Sequence, residues 1–498
     1  MLQAQKRLST GFLILLSLPT AAVGFALSSG IATTTWLLST RYGLHLENIA
    51  LIWLMGPLMG LLVQPLVGAL SDRTWLMKGR RRPYLLAGGV AGAVSTYAML
   101  MLDSLATATG LSLIAVAVIV ALLADLATNV TFNPARSLVA DLTPEGPARV
   151  RGYAWMQTVS GVLGISAYLI SIFFGNYALV LVTVAVVFVL TVLPLMFIQE
   201  TAPAAMAASP GPAGTGTRAT GLAAFRTLWP MVGFLVYGVF VAIDKIVFGD
   251  ALAAWAIPLF LAVIGVTLSW GVLIVWRGRR QPSGQNRLRT MLLAHGFAWL
   301  GVQSMFVMGF FYVRDFVVPA AAGPVLADGL YQLANAAAVT TAADTAGRVL
   351  SMGFLLLNLV GAALPVLVLK PLCLRYGKVR VHRSAMGLMA AAYAFIVLAP
   401  ANEAFFYLGM LLCGIGWSSL ISIVFAIYSE SVDSREMGVS MGVFNSSLVL
   451  PALAVPGLLR LSDALDGHRW VFALFALCLA LSFAFWCAVS ERAQHEER

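Results

Sequence analysis

Asp125 lies inside the apolar stretch 111–130. An ionised carboxylate at the centre of a bilayer-spanning helix is disfavoured by roughly 2.5 to 3.5 kcal/mol on insertion scales, so such groups usually face a polar interior and carry function. Eleven positions on, the segment DLATNVTFNPAR ends at Arg136. At about 3.6 residues per turn, that spacing returns to nearly the same helix face, about 16 Å further along. An acid at mid-depth therefore shares a face with a base near one membrane surface. The carboxylate could carry a proton, and the planar guanidinium could hold a solute. The plainer alternative is a structural ion pair, or a base reaching to the interface. Further polar groups interrupt apolar runs at Asn129, His295, Trp299, Gln303, Tyr312 and Asn445, with His295, Trp299 and Gln303 four apart on one helix face. The commoner role for a single polar residue in such a helix is a hydrogen bond to a neighbouring helix. Asp244 and Lys245, in VFVAIDKIVFGD, read as an interfacial pair.

The elements that must hold these residues follow from composition. Of the 498 residues, 60% are hydrophobic and 10% charged, with a mean hydropathy of +0.90; a soluble domain carries about 25% charged residues. This is the composition of an all-α polytopic membrane protein. The net charge of +10 resides in short loops between apolar runs, where bases set membrane orientation, so no nucleic-acid partner is expected. Cys373, Cys413, Cys478 and Cys487 have no metal-type spacing, and neither a disulfide, a metal nor a cofactor is expected. No phosphate-cradling Gly loop and no HExxH segment occurs, so no enzyme is expected and the energy source would be an ion gradient. The start MLQAQKRLSTGFLILLSL mimics a signal peptide, but its apolar run continues to Leu38 and reads as an uncleaved first helix.

Apolar runs near 20 residues fall at 12–38, 48–71, 84–106, 111–139, 152–174 and 178–198, at 229–248 and 252–275, and at 290–313, 348–369, 384–400, 404–429, 437–460 and 469–490. The pattern is six, two and six. Between the first block and the extra pair, TAPAAMAASPGPAGTGTRAT has too little large apolar surface to pack and reads as a flexible linker. The expected organisation is an N-terminal six-helix bundle over 1–200, a cytoplasmic linker over 201–228, an extra helix pair with a basic loop over 229–289, and a C-terminal six-helix bundle over 290–498. With both ends inside, every loop rich in Lys and Arg falls on the inner side, as fourteen helices require and an odd number would not.

The two blocks echo each other. GALSDRTWLMKGRRRP after the second helix is answered by LKPLCLRYGKVRVHR in the last block, and ARVRGYAWMQTVSGVLG by SREMGVSMGVFNSSLVLP. Parallel repeats of this kind are a transporter signature, with the substrate at mid-membrane between the halves. Gly68, Asp72, Arg73, Gly79, Arg80 and Arg81 resemble the cytoplasmic loop motif of the major facilitator superfamily. That resemblance implies a gate in which Asp72 pairs with neighbouring bases, and Gly68 permits close helix contact. The stretches 53–85 and 125–142 are similar to the sucrose-transporter-like branch of the glycoside-pentoside-hexuronide cation symporters, as are segments within 414–451. The resemblance implies a proton-coupling acid at Asp125, a sugar contact at Arg136, and a major facilitator fold of two six-helix bundles, here with two extra helices. A sugar needs amide and hydroxyl partners for its OH groups and an aromatic face for its C–H faces. Asn129, His295, Trp299, Gln303 and Asn445 are the lining candidates.

Departures bear on the substrate. In the first helix Phe25 and Ser28 stand where plant sucrose carriers tend to have Trp and Gln, and Asp315, in YVRDFV, falls near the family's second acidic cluster without its companion acids. The expected protein is a monomeric inner-membrane transporter importing a sugar or glycoside with H+, its substrate a small molecule and its surroundings the lipid bilayer. Transport of a non-sugar solute, or a non-transporting assembly or pigment-delivery role on the same fold, remain the alternatives.

Overall fold

The computed structural model describes the chain except for residues 1–4, 6, 46–47, 54–55, 57–59, 61–62, 64–66, 68–69, 72–73, 145–146, 201–225, 320–327, 433–436, 466 and 491–498. Gly68, Asp72 and Arg73, and most of the linker, therefore lie outside the described residues. Among those described, the chain is helices and turns with no strand, and 13 helices are long and apolar enough to cross a membrane. The expected second crossing, 48–71, is described only in part, and each of its described residues is helical. Together these agree with the expected fourteen.

Hydroxyl and amide caps start several spans where the apolar pattern begins, each accepting one of the backbone N–H groups that a helix start leaves without a partner. Ser9 accepts from Phe12 N–H (3.3 Å), Ser112 from Ala115 (3.3 Å), Ser283 from Asn286 (3.2 Å) and Asn402 from Phe405 (3.1 Å).

The chain folds as two compact units, Met1–Thr215 and Gly216–Arg498. The first contains α1 (Thr10–Thr40), α2 (Arg82–Ala98), α3 (Leu113–Leu142), α4 (Pro147–Phe174) and α5 (Asn176–Val192). Here α1 packs on α4 and α5, and α2 packs on α3 and α5. Phe12, Leu13, Leu16, Leu85, Leu138, Val139 and Ile198 form a core at one end of this unit.

The second unit contains α6 (Val232–Ile243), α7 (Ala256–Arg280), α8 (Gly284–Tyr312), α9 (Asp328–Leu364), α10 (Lys378–Leu398), α11 (Glu403–Leu420), α12 (Met437–Ala452), α13 (Val455–Ala464) and α14 (Val471–Cys487). Setting aside α6 and α7, α8 packs on α12 and α14, and α10 packs on α11 and α14. These are the same four pairings as in the first unit, so the repeat read in the loops extends to the packing.

The extra pair breaks this symmetry. α6 lies on α12, while α7 lies on α8 and α13. Two glycines allow the close approach: a methyl group on Gly238 would come within 2.6 Å of Leu453 Cβ, and one on Gly457 would run into the Phe260 ring. With α7, α12, α13 and α14 all packed on α8, from residue 290 to 313 only Trp299, Gln303 and Phe306 are not buried. At the hairpin tip, Asp244 and Lys245 do not pair with each other. The Asp244 carboxylate is enclosed and accepts from Leu252 N–H (2.8 Å), while Lys245 reaches Asp250 (2.5 Å), which also faces Arg460 of α13 (3.5 Å). A short acidic cap for the turn and a staple to α13 replace the interfacial pair, because positive φ at Gly249 and Asp250 folds the chain back on Asp244.

Candidate functional site

Asp125 sits half-buried on α3, thirteen residues into the helix. The neighbouring second crossing leaves room for it by presenting Gly56, where a methyl group would stand 3.3 Å from both carboxylate oxygens. Among the described residues no cation pairs with this carboxylate. One turn on, the Asn129 side chain is buried and donates to the Asp125 carbonyl (2.8 Å), so at least one of its donors serves its own helix. Pro134 lies within the helix and removes a backbone donor between the acid and the base. Arg136 is exposed, its guanidinium 4.0 Å above the Phe132 ring, and Tyr153 donates to its backbone carbonyl (3.4 Å). The first unit thus holds an acid with no cation partner among the described residues and an exposed base on one helix. Of the two first-helix positions in doubt, Phe25 is buried and Ser28 is half-buried.

The second unit presents a different surface. Trp299, Gln303 and Phe306 recur at four and three residues, so the one open stripe of α8 is aromatic, amide, aromatic. Trp417 of α11 meets it edge-on, 5.8 Å from Trp299 and 6.1 Å from Phe306. Gln303 donates to the Leu448 carbonyl of α12 (2.9 Å). His295 lies behind the stripe at 1% exposure, stacked 4.4 Å from Phe444, and accepts from Trp299 Nε1 (3.0 Å). With Nε2 accepting, the neutral ring carries its proton on Nδ1, which is buried without a partner among the described residues. Tyr312 donates to the Ile396 carbonyl (2.9 Å). Asn445 is exposed on α12, next to Phe444. The structure brings Trp299 and Gln303 onto one accessible stripe, encloses His295, and adds Phe306 and Trp417. Sequence reading passed over these two because aromatics in an apolar helix carry no signal until their neighbours are known.

The basic loops are held by acids that motif reading did not name. Arg80 and Arg81 both pair with Asp141 at the end of α3 (3.1 and 3.0 Å), and Arg81 also donates to Ser71 (2.5 Å). Glu200 accepts from the backbone N–H groups of Arg80, Arg81 and Arg82 (2.7, 3.0 and 3.1 Å), where the start of α2 leaves donors open. A side chain at Gly79 would displace the Glu200 carboxylate and the Arg82 side chain. Leu76 and Gly79 close the turn with two mutual backbone bonds, which puts Met77 and Lys78 in the left-handed region at φ 56° and 60°. In the second unit Lys378 pairs with Glu430, the corresponding acid after α11. At the C-terminal end of α8, Asp315 pairs with Arg314 (2.6 Å) and His468 (2.7 Å). No group of three or more metal-ligating side chains converges among the described residues.

Two units with one packing pattern, corresponding ion-paired basic loops, and polar side chains opening from within apolar helices define a carrier-type polytopic membrane protein. Residues 13–456 match the Major Facilitator Superfamily model. The chain belongs to that superfamily. It is similar to Sucrose transport protein SUC4 of Arabidopsis thaliana, 41% identical over 126 residues, covering 23% of this chain and 25% of the relative. It is also similar to the General alpha-glucoside permease of Schizosaccharomyces pombe, 31% identical over 172 residues, 32% of this chain and 31% of that protein. The matched segments thus span about a quarter to a third of these relatives' length. Among solved structures, the nucleoside transporter NupG matches with a TM-score of 0.61 at 12% identity, over 97% of this chain and 100% of that one. This last likeness is one of fold.

Proposed function

We propose that the protein is a secondary active transporter that takes up a sugar or glycoside together with protons across a bacterial-type inner membrane, with both termini on the cytoplasmic side. The observation that carries this reading is the carboxylate of Asp125, unpaired among the described residues and sharing a helix with the exposed guanidinium of Arg136. An acid in that setting can exist in two protonation states without breaking an ion pair. Asp125 is the proton carrier and Arg136 the substrate contact, its planar fork matched to vicinal hydroxyls. In the second unit the Trp299, Phe306 and Trp417 group supplies a face for ring C–H bonds, with Gln303 at its edge. The named activities of the sucrose and α-glucoside relatives support a glycosidic substrate. Phe25 and Ser28 favour one other than sucrose, because neither supplies the indole donor or the amide that plant sucrose carriers tend to have there.

The clamp residues Arg80 and Arg81, with Asp141 and Glu200, stabilise one of the two conformational states, and the carrier works as a monomer. Purified protein in proteoliposomes, given labelled α- and β-glucosides with and without an inward proton gradient, tests the reading. Accumulation only when the gradient is imposed supports it. Uptake indifferent to both gradient and uncoupler sinks the coupling, and no uptake of any glycoside sinks the substrate class.

A further inference from the structure

We infer that the junction between α7 and α8 is a binding site for the phosphate headgroups of anionic membrane lipids. The junction is three residues long, Gln281 to Ser283, so the last turn of α7 and the first turns of α8 meet. A methyl group on Gly278 would stand 3.7 Å from Asn286 Cβ. Five arginines lie in the adjoining helix ends: Arg277, Arg279 and Arg280 in the last turn of α7, and Arg287 and Arg289 in the first turns of α8. No Asp or Glu occurs anywhere from residue 251 to 314. Among the described residues none of Arg277, Arg279, Arg280 and Arg289 pairs with a carboxylate, and Arg287 bonds to the Ser431 hydroxyl (2.6 Å) and the Ser490 carbonyl (3.3 Å).

The contrast with the other inner loops is internal to the chain. Arg80 and Arg81 are answered by Asp141, and Lys378 by Glu430, whereas no carboxylate among the described residues meets Arg277, Arg279, Arg280 or Arg289. Backbone dipoles do not compensate, since the end of α7 and the start of α8 carry about −0.5 and about +0.5 charge, which cancel. Arg289 further has a buried Nε without a partner among the described residues.

Trp276 fixes the depth. It is exposed, with Arg280 held 4.1 Å above its ring, and Trp270, six residues and about 9 Å earlier on α7, is exposed beside Trp229 (4.3 Å). Exposed indoles flanked by guanidiniums mark the headgroup level of a bilayer, where each base near an anionic surface contributes about fivefold to affinity. The ligand is therefore a phosphodiester on a lipid, held by guanidinium forks on a shelf that the extra helix pair supplies.

The test uses the full-length protein in mixed micelles of phosphatidylglycerol and phosphatidylcholine, with retained lipid counted by native mass spectrometry. The wild type should retain phosphatidylglycerol selectively. R277Q/R279Q/R280Q should lower that preference by about fivefold per charge, the corresponding triple lysine variant should largely keep it, and Arg375→Gln in the basic loop before α10 should leave it unchanged. Equal preference in the glutamine variant and the wild type would overturn the assignment. So would displacement of the lipid by inorganic phosphate alone, which would make the site a free-anion site. A third overturning result is selective retention that emerges only after Glu491, Glu496 and Glu497 are changed to Gln, because the acidic C-terminal segment would then be the occupant.

Discussion

At the scale of single residues, the Asp125 and Arg136 pair makes two separable predictions. Asp125→Asn, which mimics the protonated acid, should abolish uptake against a gradient and keep exchange of substrate across the membrane. Counterflow measured beside gradient-driven uptake distinguishes the two, and retained accumulation with an unchanged pH profile would make the carboxylate structural. Arg136→Lys keeps the charge and loses the fork, so it should raise the half-saturation concentration about 10- to 100-fold, the worth of roughly 1.5 to 3 kcal/mol in a hydrogen bond to a charged group. Trp417→Ala should weaken substrate binding by about fivefold, because an aromatic contact is worth around 1 kcal/mol beyond its area. Unaltered affinity would remove this ring from the site. Asp125 was legible in the sequence because a lone acid in twenty apolar residues contradicts its surroundings. Phe306 and Trp417 were not, since an aromatic residue agrees with every apolar neighbourhood, and only the burial of the rest of α8 singles them out.

Helices and loops carry their own consequences. Asp141 answers two arginines, one of them only 5% exposed, whereas Glu430 meets Lys378 at the surface, 56% of its own side chain exposed. Asp141→Asn should therefore cost about 1–3 kcal/mol, and Glu430→Gln less than about 1 kcal/mol. Thermal unfolding of the two purified variants checks the order, and equal losses would argue against the burial account. Gly457→Leu should destabilise by about 1–3 kcal/mol by forcing the Phe260 ring, and with it α7, away from α13. The basic loop was readable as an inner anchor from its charge alone. Its partners were not, because Asp141 and Glu200 stand far from it in sequence and become neighbours only when α3 and the end of α5 are packed. The same gap explains Asp244 and Lys245: adjacency in sequence suggested a pair, and the backward fold at Gly249 and Asp250 gave each another partner.

For the whole molecule, the count of fourteen crossings and the parity of the loops can be checked together. In a background with Cys373, Cys413, Cys478 and Cys487 replaced, Cys at Ser283 should resist an impermeant thiol reagent in intact cells and react after permeabilisation. Cys at Thr107 should react at once. Rapid labelling at Ser283 in intact cells would refute the proposed orientation. The six, two, six pattern was legible because hydropathy reports crossings directly, whereas the attachment of the extra pair to α8, α12 and α13 was not. That choice rests on Gly238 and Gly457, whose missing side chains say only that something comes close. The duplicated packing pattern lies between these cases: the loops announce a repeat, and the four shared helix pairings give it physical content.

The turn that presents Arg80 and Arg81 is a loaded spring as well as an anchor. Met77 and Lys78 both occupy backbone conformations that disfavour side-chain-bearing residues, at a cost of roughly 1 to 2 kcal/mol each. In the proposed gate, Asp141 and Glu200 hold that tension in place, and a conformational change that separates them from the loop would recover it. Changing Met77 to Asn and Lys78 to Gly would slacken the spring without touching an ion pair among the described residues. The relaxed protein should melt higher and turn over more slowly, dwelling longer in the clamped state.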